Sequence, residues 1–180
     1  IVGGLASGRT TLLTHLALLH ANPASEGPSE TPHRLPLYVA LPSLDWTVSE
    51  EETKALTAAE RLVQAAVETV NGSSSHAAAL HRNLSAGTAL VLADGWDELP
   101  PEHRERAAAW LGRLAEDLPG NLWVVAAGLE GFAPLVDAGF TPLRLAPWQP
   151  SQVETLFRRW QQAVAPEEEG PSPRPTSILE

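Results

Sequence analysis

The sequence predicts an α/β fold with a parallel sheet covered by helices on both faces. Three short apolar runs carry that expectation: LPLYVAL at 35–41, TALVLA at 88–93 and LWVVAA at 122–127. Each has the length of a strand, and each is continuously apolar rather than alternating, which suits strands buried on both faces. Segments with helical periodicity lie between them, and strands alternating with helices imply parallel pairing through crossover connections.

Taken in order, Ile1 and Val2 read as the end of a strand that runs into the turn at Gly3 and Gly4. Leu12, Leu16 and Leu19 recur at helical spacing, with Leu13 and Ala17 beside them. Residues 21–34 are rich in Pro, Ser, Glu and Gly and read as a connection. Thr57 and Glu60 form a capping box ahead of Ala59, Leu62, Val63, Ala66, Val67 and Val70, so a helix is expected there. A weaker helix is expected over 76–84. Pro100 and Pro101 suit the first turn of a helix carrying Ala107, Leu111, Leu114 and Leu118. FTPLRLAP at 140–147 is a fourth, weaker apolar run. Ser151 and Glu154 read as a second capping box before an amphipathic helix with Val153, Leu156, Phe157, Trp160 and Val164.

Composition narrows the function classes. The 180 residues are 43% hydrophobic, enough for one domain with a real core, which excludes disorder over most of the length. Twelve Lys plus Arg against 22 Asp plus Glu give a net charge of -10, the wrong sign for a surface that neutralises phosphodiesters, so nucleic acid is not an expected partner. No run reaches the roughly 18 apolar residues of a membrane span, so no membrane partner is expected. The absence of cysteine removes disulfides, thiolate chemistry and Cys-ligated zinc, and fits a reducing, cytoplasmic setting. The chain opens on Ile1 directly before a glycine turn and reads as a fragment whose first strand keeps only Ile1 and Val2. Extension by about ten native residues is expected to raise its melting temperature.

Two motifs carry chemistry. Gly3-Gly-Leu-Ala-Ser-Gly8-Arg9-Thr10 fits G-x-x-x-x-G-[KR]-[ST], a loop in which backbone amides and a helix N-terminus surround a phosphate. The plainer reading is a glycine turn capping an ordinary helix. The second motif is Leu90-Val-Leu-Ala-Asp94-Gly95-Trp96-Asp97-Glu98, an apolar strand that delivers three carboxylates within five residues. Beside a divalent cation, Asp94 can hold magnesium while Asp97 or Glu98 orients or deprotonates a water. The plainer reading is a solvated acidic turn favouring the next helix N-terminus.

Other residues offer less. The six histidines, at 15, 20, 33, 76, 81 and 103, do not form the i, i+4 pair of a helical zinc site. Trp110 and Trp160 on helices and Trp123 in an apolar run point to core packing, whereas Trp96, between the acids, either packs near a nucleotide or covers the sheet edge. Glu50 to Glu52 and Glu167 to Glu169 read as solvated charge runs.

GGLASGRTTLL, LPLYVAL, LVLADGWDEL, WVVAAGLEGF and PLRLAPWQPSQVETLFRRW resemble, in order and spacing, the NACHT group of STAND-class signal-transduction ATPases. Gly95, with Asp97 and Glu98 after it, is the most distinguishing local feature, and the resemblance covers about residues 1–163. It implies a P-loop NTPase three-layer sandwich with a mainly parallel sheet of the 2-3-1-4-5 type, the Walker B strand separated from the P-loop strand by the sensor strand at 122–127. The implied organisation is a nucleotide-binding domain over 1–150, the start of a helical subdomain over 151–164 and a linker or tail over 165–180. The implied ligands are ATP or ADP with Mg2+. Gly3, Gly4, Ser7, Gly8, Arg9, Thr10 and Thr11 would bind the nucleotide, Thr10 and Asp94 the metal, and Asp97 and Glu98 would act in catalysis.

Two departures shape the expected function. Arg9 stands where the family has lysine, and Ala126-Ala127-Gly128 stands where it usually has Thr-Ser-Arg. Guanidinium is broad and planar, so it keeps the charge without matching the reach of an ammonium. Residues 122–143 contain no Arg, Lys or His to replace the lost cation. The expectation is a purine-nucleotide switch in signalling or assembly with weak or absent hydrolysis. The alternative is a pseudo-ATPase scaffold for self-association through the parent chain. A metabolic kinase or hydrolase would need an acceptor-substrate site, and none is recognisable. Arg9→Lys is expected to tighten binding, and adding Gly128→Arg to restore some hydrolysis.

Overall fold

The computed structural model describes residues 1–22, 33–47 and 57–164. The expected connection at 23–32, the acidic runs at 50–52 and 167–169 and the tail at 165–180 lie outside the described residues. Three strands, β1 (Leu35–Ala40), β2 (Ala89–Asp94) and β3 (Leu122–Val125), form an all-parallel sheet in the order β1-β2-β3. The protein is therefore an α/β structure, as its apolar runs require. Helices α1 (Arg9–Ala21), α2 (Ala58–Thr69), α3 (Ser74–Ser85) and α4 (Pro101–Asp117) supply the covering layers.

The side-chain alternation of β2 explains why its sequence is apolar throughout. Ala89, Val91 and Ala93 point into the larger core cluster with Leu62, Leu84, Leu111 and Trp110, while Leu90 and Leu92 point to the other face, where Leu13, Leu16 and Ala17 of α1 cover them. Helices thus pack on both faces. Thr57 and Glu60 form the expected reciprocal cap of α2, and Pro101 starts α4 in the turn that needs no N–H donor. Asn121 ties three element ends together: its amide donates to the carbonyls of Leu84 and Leu118, and its oxygen accepts from Ala89.

The first residues join the sheet beyond β3. Val2 bridges in parallel to both Ala127 and Arg144. The Ile1 amine donates to the Val125 carbonyl at 2.7 Å, and the Ala127 amide donates to the Ile1 carbonyl at 2.9 Å. Counting Val2 and Arg144 as sheet positions, the order is 2-3-4-1-5 in chain numbering. The run at 122–127 therefore stands between the strand ending in Asp94 and the segment feeding the glycine loop, as expected. The 2-3-1-4-5 order is corrected, because this run pairs through one edge with β2 and through the other with Ile1 and Val2. The weak run at 140–147 forms only the Arg144 bridge. Its neighbour in the sheet is the two-residue stretch at Ile1 and Val2, and Pro142 lacks a donor.

Trp110 enters the core as expected, and Trp160 does not. Trp46 and Trp110 are buried in edge-to-face contact at 5.5 Å, with the Trp46 indole donating to the Leu41 carbonyl. Trp160 is exposed and stacks with Phe157 instead of entering a core. It belongs to a second unit that starts at Pro147, whose described part contains α6 (Pro150–Val164). Ser151 lies inside the first turn of α6 and does not cap it, and Glu154 pairs with Arg158 at 3.0 Å. The N-terminal bond comes from Gln152, whose side-chain oxygen accepts from the Gln149 amide. The short helix α5 (Ala133–Asp137) had no counterpart in the sequence reading, since five residues are too few to show a period.

The slot that holds Ile1 and Val2 continues past Ile1 as an apolar groove of about 590 Å³, bounded by Leu122, Val124, Phe132, Phe140 and Leu143. A parallel strand fits it, because β3 offers its second edge there. Fusing four alternating apolar residues ahead of Ile1 should stabilise the fold by about 2 kcal/mol after ordering costs. That is a rise of about 4–8 °C in melting temperature at this chain size. Equal melting with and without the added residues would show that the groove does not accept a strand.

Candidate functional site

The glycine loop leads from Val2 into α1. Gly8 caps that helix in a left-handed conformation (φ 88°), and Ala6 adopts a positive φ of 57°. Gly8 has no side chain with which to cap the first turn of α1. Gly3 is buried with the Ser7 side chain packed against it, Gly4 lies beside Leu129, and Thr10 and Thr11 are exposed at the helix start. The loop residues singled out in the sequence are thus gathered at one sheet end, where β2 and β3 also finish.

Arg9 does not extend outward from this loop. Its Nη1 donates to the Gly3 carbonyl and, at 3.0 Å, to the Ala127 carbonyl. Its Nη2 forms an ion pair with Asp97 Oδ2. The other Asp97 oxygen accepts the Gly128 amide. One guanidinium therefore bridges the loop start, the end of the β3 run and the acidic turn. A Cβ at Gly128 would lie 2.7 Å from Asp97 Oδ1 and within 3.2 Å of the rest of the carboxylate, so a side chain there, as in Gly128→Arg, requires the Asp97 carboxylate to shift.

The acidic turn is held from behind. Trp96, fully buried, enters the main core instead of covering a sheet edge, and its indole donates to the Gly131 carbonyl at 2.9 Å. Arg104 donates to the carbonyls of Leu99 and Asp97, each at 3.1 Å. Gly95 sits at φ 81°, and a Cβ there would lie 2.6 Å from Pro42. The small residue in this motif is thus a packing requirement as well as a turn requirement. Glu98 ends the turn, exposed.

Asp94 is half-buried at the end of β2, and both its oxygens are occupied. Oδ1 accepts the Gly95 amide at 2.9 Å and Oδ2 accepts the Tyr38 hydroxyl at 2.7 Å. Tyr38 was missed as a site residue. The signal available was one polar-tipped side chain inside the apolar run LPLYVAL, and only the parallel register, Ala40 beside Asp94, brings it to the carboxylate. Burial and the hydrogen bond to Asp94 raise the Tyr38 phenol above its ordinary value. Among the described residues no group of three or more His, Asp or Glu side chains converges as a metal cage. A magnesium ion carried by a nucleotide needs one or two carboxylates besides phosphate oxygens; Asp94 would be the carboxylate to hold it, with the Thr10 hydroxyl as a neutral oxygen donor.

Tyr38 is the chain's single tyrosine, which makes its environment measurable. A phenol with a raised value in the folded state adds stability that is fully present below the ordinary value of about 10 and is lost as pH rises through the folded value. Near-ultraviolet tyrosinate absorbance should therefore appear only well above pH 10, or together with unfolding. Tyr38→Phe should cost about 1 kcal/mol, the usual worth of such a bond at a partly exposed site. Ionisation at the ordinary value in folded protein would mean that the Tyr38–Asp94 bond is absent. These roles rest on this chain's own geometry, since no protein-family model, curated protein or solved structure matches it.

Proposed function

We propose that the loop from Gly3 to Thr11 binds the phosphates of a purine nucleotide, ATP or ADP with Mg2+, and that the domain works as a nucleotide-dependent switch in signalling or assembly with weak or absent hydrolysis. The observation that carries this reading is convergence: the glycine loop, the start of α1, Asp94 and Asp97 meet at the ends of parallel strands. Crevices at strand ends are where open α/β sheets bind ligands. Loop amides with the helix N-terminus suit an anion, and Asp94 with Thr10 suits its counter-ion. The position of the run at 122–127 between Asp94 and the loop supports this reading, since the sequence resemblance implies that separation, although the strand order is 2-3-4-1-5 and not 2-3-1-4-5.

Bound magnesium would supply charge neutralisation at the β- and γ-phosphates. The chain's own residues divide the remaining work. Loop amides would hold phosphate oxygens, Arg9 would add a cation once released from Asp97, and Asp94, oriented by Tyr38, would hold the metal. Glu98, exposed at the end of the acidic turn, would be the acid to orient a water. Weak turnover follows from the same geometry. Asp97 is committed to Arg9 and to the Gly128 amide, and residues 122–143 bring no cation to the γ-phosphate side. A cation acting on the transferring group is worth about 10³ to 10⁵ in rate.

The pseudo-ATPase scaffold is favoured by one observation, the occupation of Arg9 by protein carbonyls and Asp97. Thermal unfolding separates the two readings. A ligand present at a hundred times its dissociation constant stabilises by about 2.7 kcal/mol, a shift of about 5–10 °C here. Magnesium-ATP or magnesium-ADP should produce such a shift, and Asp94→Asn should shrink its magnesium-dependent part. Steady-state release of phosphate should stay near background. No shift at millimolar nucleotide would leave the scaffold reading, and brisk hydrolysis abolished by Glu98→Gln would replace the switch with an active ATPase.

A further inference from the structure

We infer that Asp97 sets the nucleotide affinity of this domain by competing with phosphate for Arg9, so that the Arg9–Asp97 pair is a clasp that closes the anion site from within. The inference rests on the nucleotide-binding reading above. In the sequence, Asp97 reads as an acid for handling water. In the structure its carboxylate has different work: Oδ2 takes the Arg9 guanidinium and Oδ1 the Gly128 amide. Arg9 is likewise turned inward, onto the carbonyls of Gly3 and Ala127. The cation that a phosphate would recruit is thus already paired with an internal anion.

Three consequences make this pair a competitor. First, three of the five N–H donors of Arg9 already serve Gly3, Ala127 and Asp97, so its charge is partnered before an anion arrives above the loop. Second, once Arg9 moves, Asp97 is left as a bare carboxylate beside an incoming polyanion, which adds repulsion. Third, the pair is only partly shielded, with side-chain exposures of 17% for Arg9 and 39% for Asp97, so the contact can open without unpacking the core. Arg104 and Trp96 hold the backbone around Asp97 from the core side, so its carboxylate stays aimed at the loop when Arg9 departs. Binding therefore exchanges one carboxylate partner for phosphate oxygens, and removing the carboxylate charge should favour the ligand.

Calorimetric titration of magnesium-ATP and magnesium-ADP into the native chain, Asp97→Asn, Asp97→Ser and Arg9→Ala tests this. Asp97→Asn keeps an oxygen for the Gly128 amide and removes the charge that holds Arg9. It should bind about tenfold tighter than the native chain, equivalent to about 1.4 kcal/mol, while its ligand-free melting temperature stays level or falls. Asp97→Ser should show the same direction, which covers a folding defect in either variant. Arg9→Ala should bind more weakly than native, and adding Asp97→Asn to it should recover much less than tenfold. If the native chain binds nucleotide and both Asp97 variants bind equally or more weakly, the clasp is overturned and the nucleotide reading stands. If no variant binds, the nucleotide reading itself fails, and the clasp as a gate fails with it.

Discussion

The structure depends on the burial of β2 from both sides. All of Ala89 to Ala93 is withdrawn from water, and Asp94 is the first residue of that strand to regain partial exposure. A strand in this position cannot shift its register by one residue, because both sets of alternate side chains are committed to packed faces. The placement of the acidic turn therefore follows from hydrophobic burial alone. The carboxylates are delivered to the sheet end because the apolar sequence stops there, and Trp96, the largest fully buried side chain, pins the turn immediately after.

Two polar contacts then convert this packing into a site. Tyr38 reaches Asp94 across one parallel strand pair, and Arg9 reaches Asp97 from the glycine loop. Both contacts join an acid on the β2 side to a group from another part of the chain, and both place charge where the core ends. They differ in their surroundings. The Tyr38 bond lies against the sheet, where burial strengthens it. The Arg9 pair lies nearer solvent, where an exposed ion pair adds little stability and can be exchanged for another anion. On the proposed nucleotide reading, that division would give a fixed acid to hold the metal and a removable cation for the phosphates.

The close backbone approach at Gly128 links the two halves of this arrangement. Its amide contacts Asp97, the Ala127 carbonyl contacts Arg9, and Ala127 also pairs with Ile1 and bridges to Val2. Movement of Arg9 away from Asp97 thus removes one support from the β3 end while leaving the sheet bonds intact.

By itself the sequence determined the α/β class, the strand-like runs at 35–41, 88–93 and 122–127, the helices opening after the glycine turn, after Thr57 and at Pro100 and Pro101, and the loop and acids as candidate sites. These are local or periodic properties, written in apolar runs, capping pairs and glycine spacing. The tertiary structure decided the rest. It set the 2-3-4-1-5 order, since which edge a strand uses depends on neighbours distant in sequence. It buried Trp96, exposed Trp160 and started α6 at Pro150 with a Gln149–Gln152 bond at its N-terminus, because burial and capping depend on what packs nearby. It also turned Arg9 inward and gave Asp94 its Tyr38 partner. A charged side chain takes the counter-charge that the fold brings within reach, and that distance, spanning 88 residues for Arg9 and Asp97, appears in no local pattern.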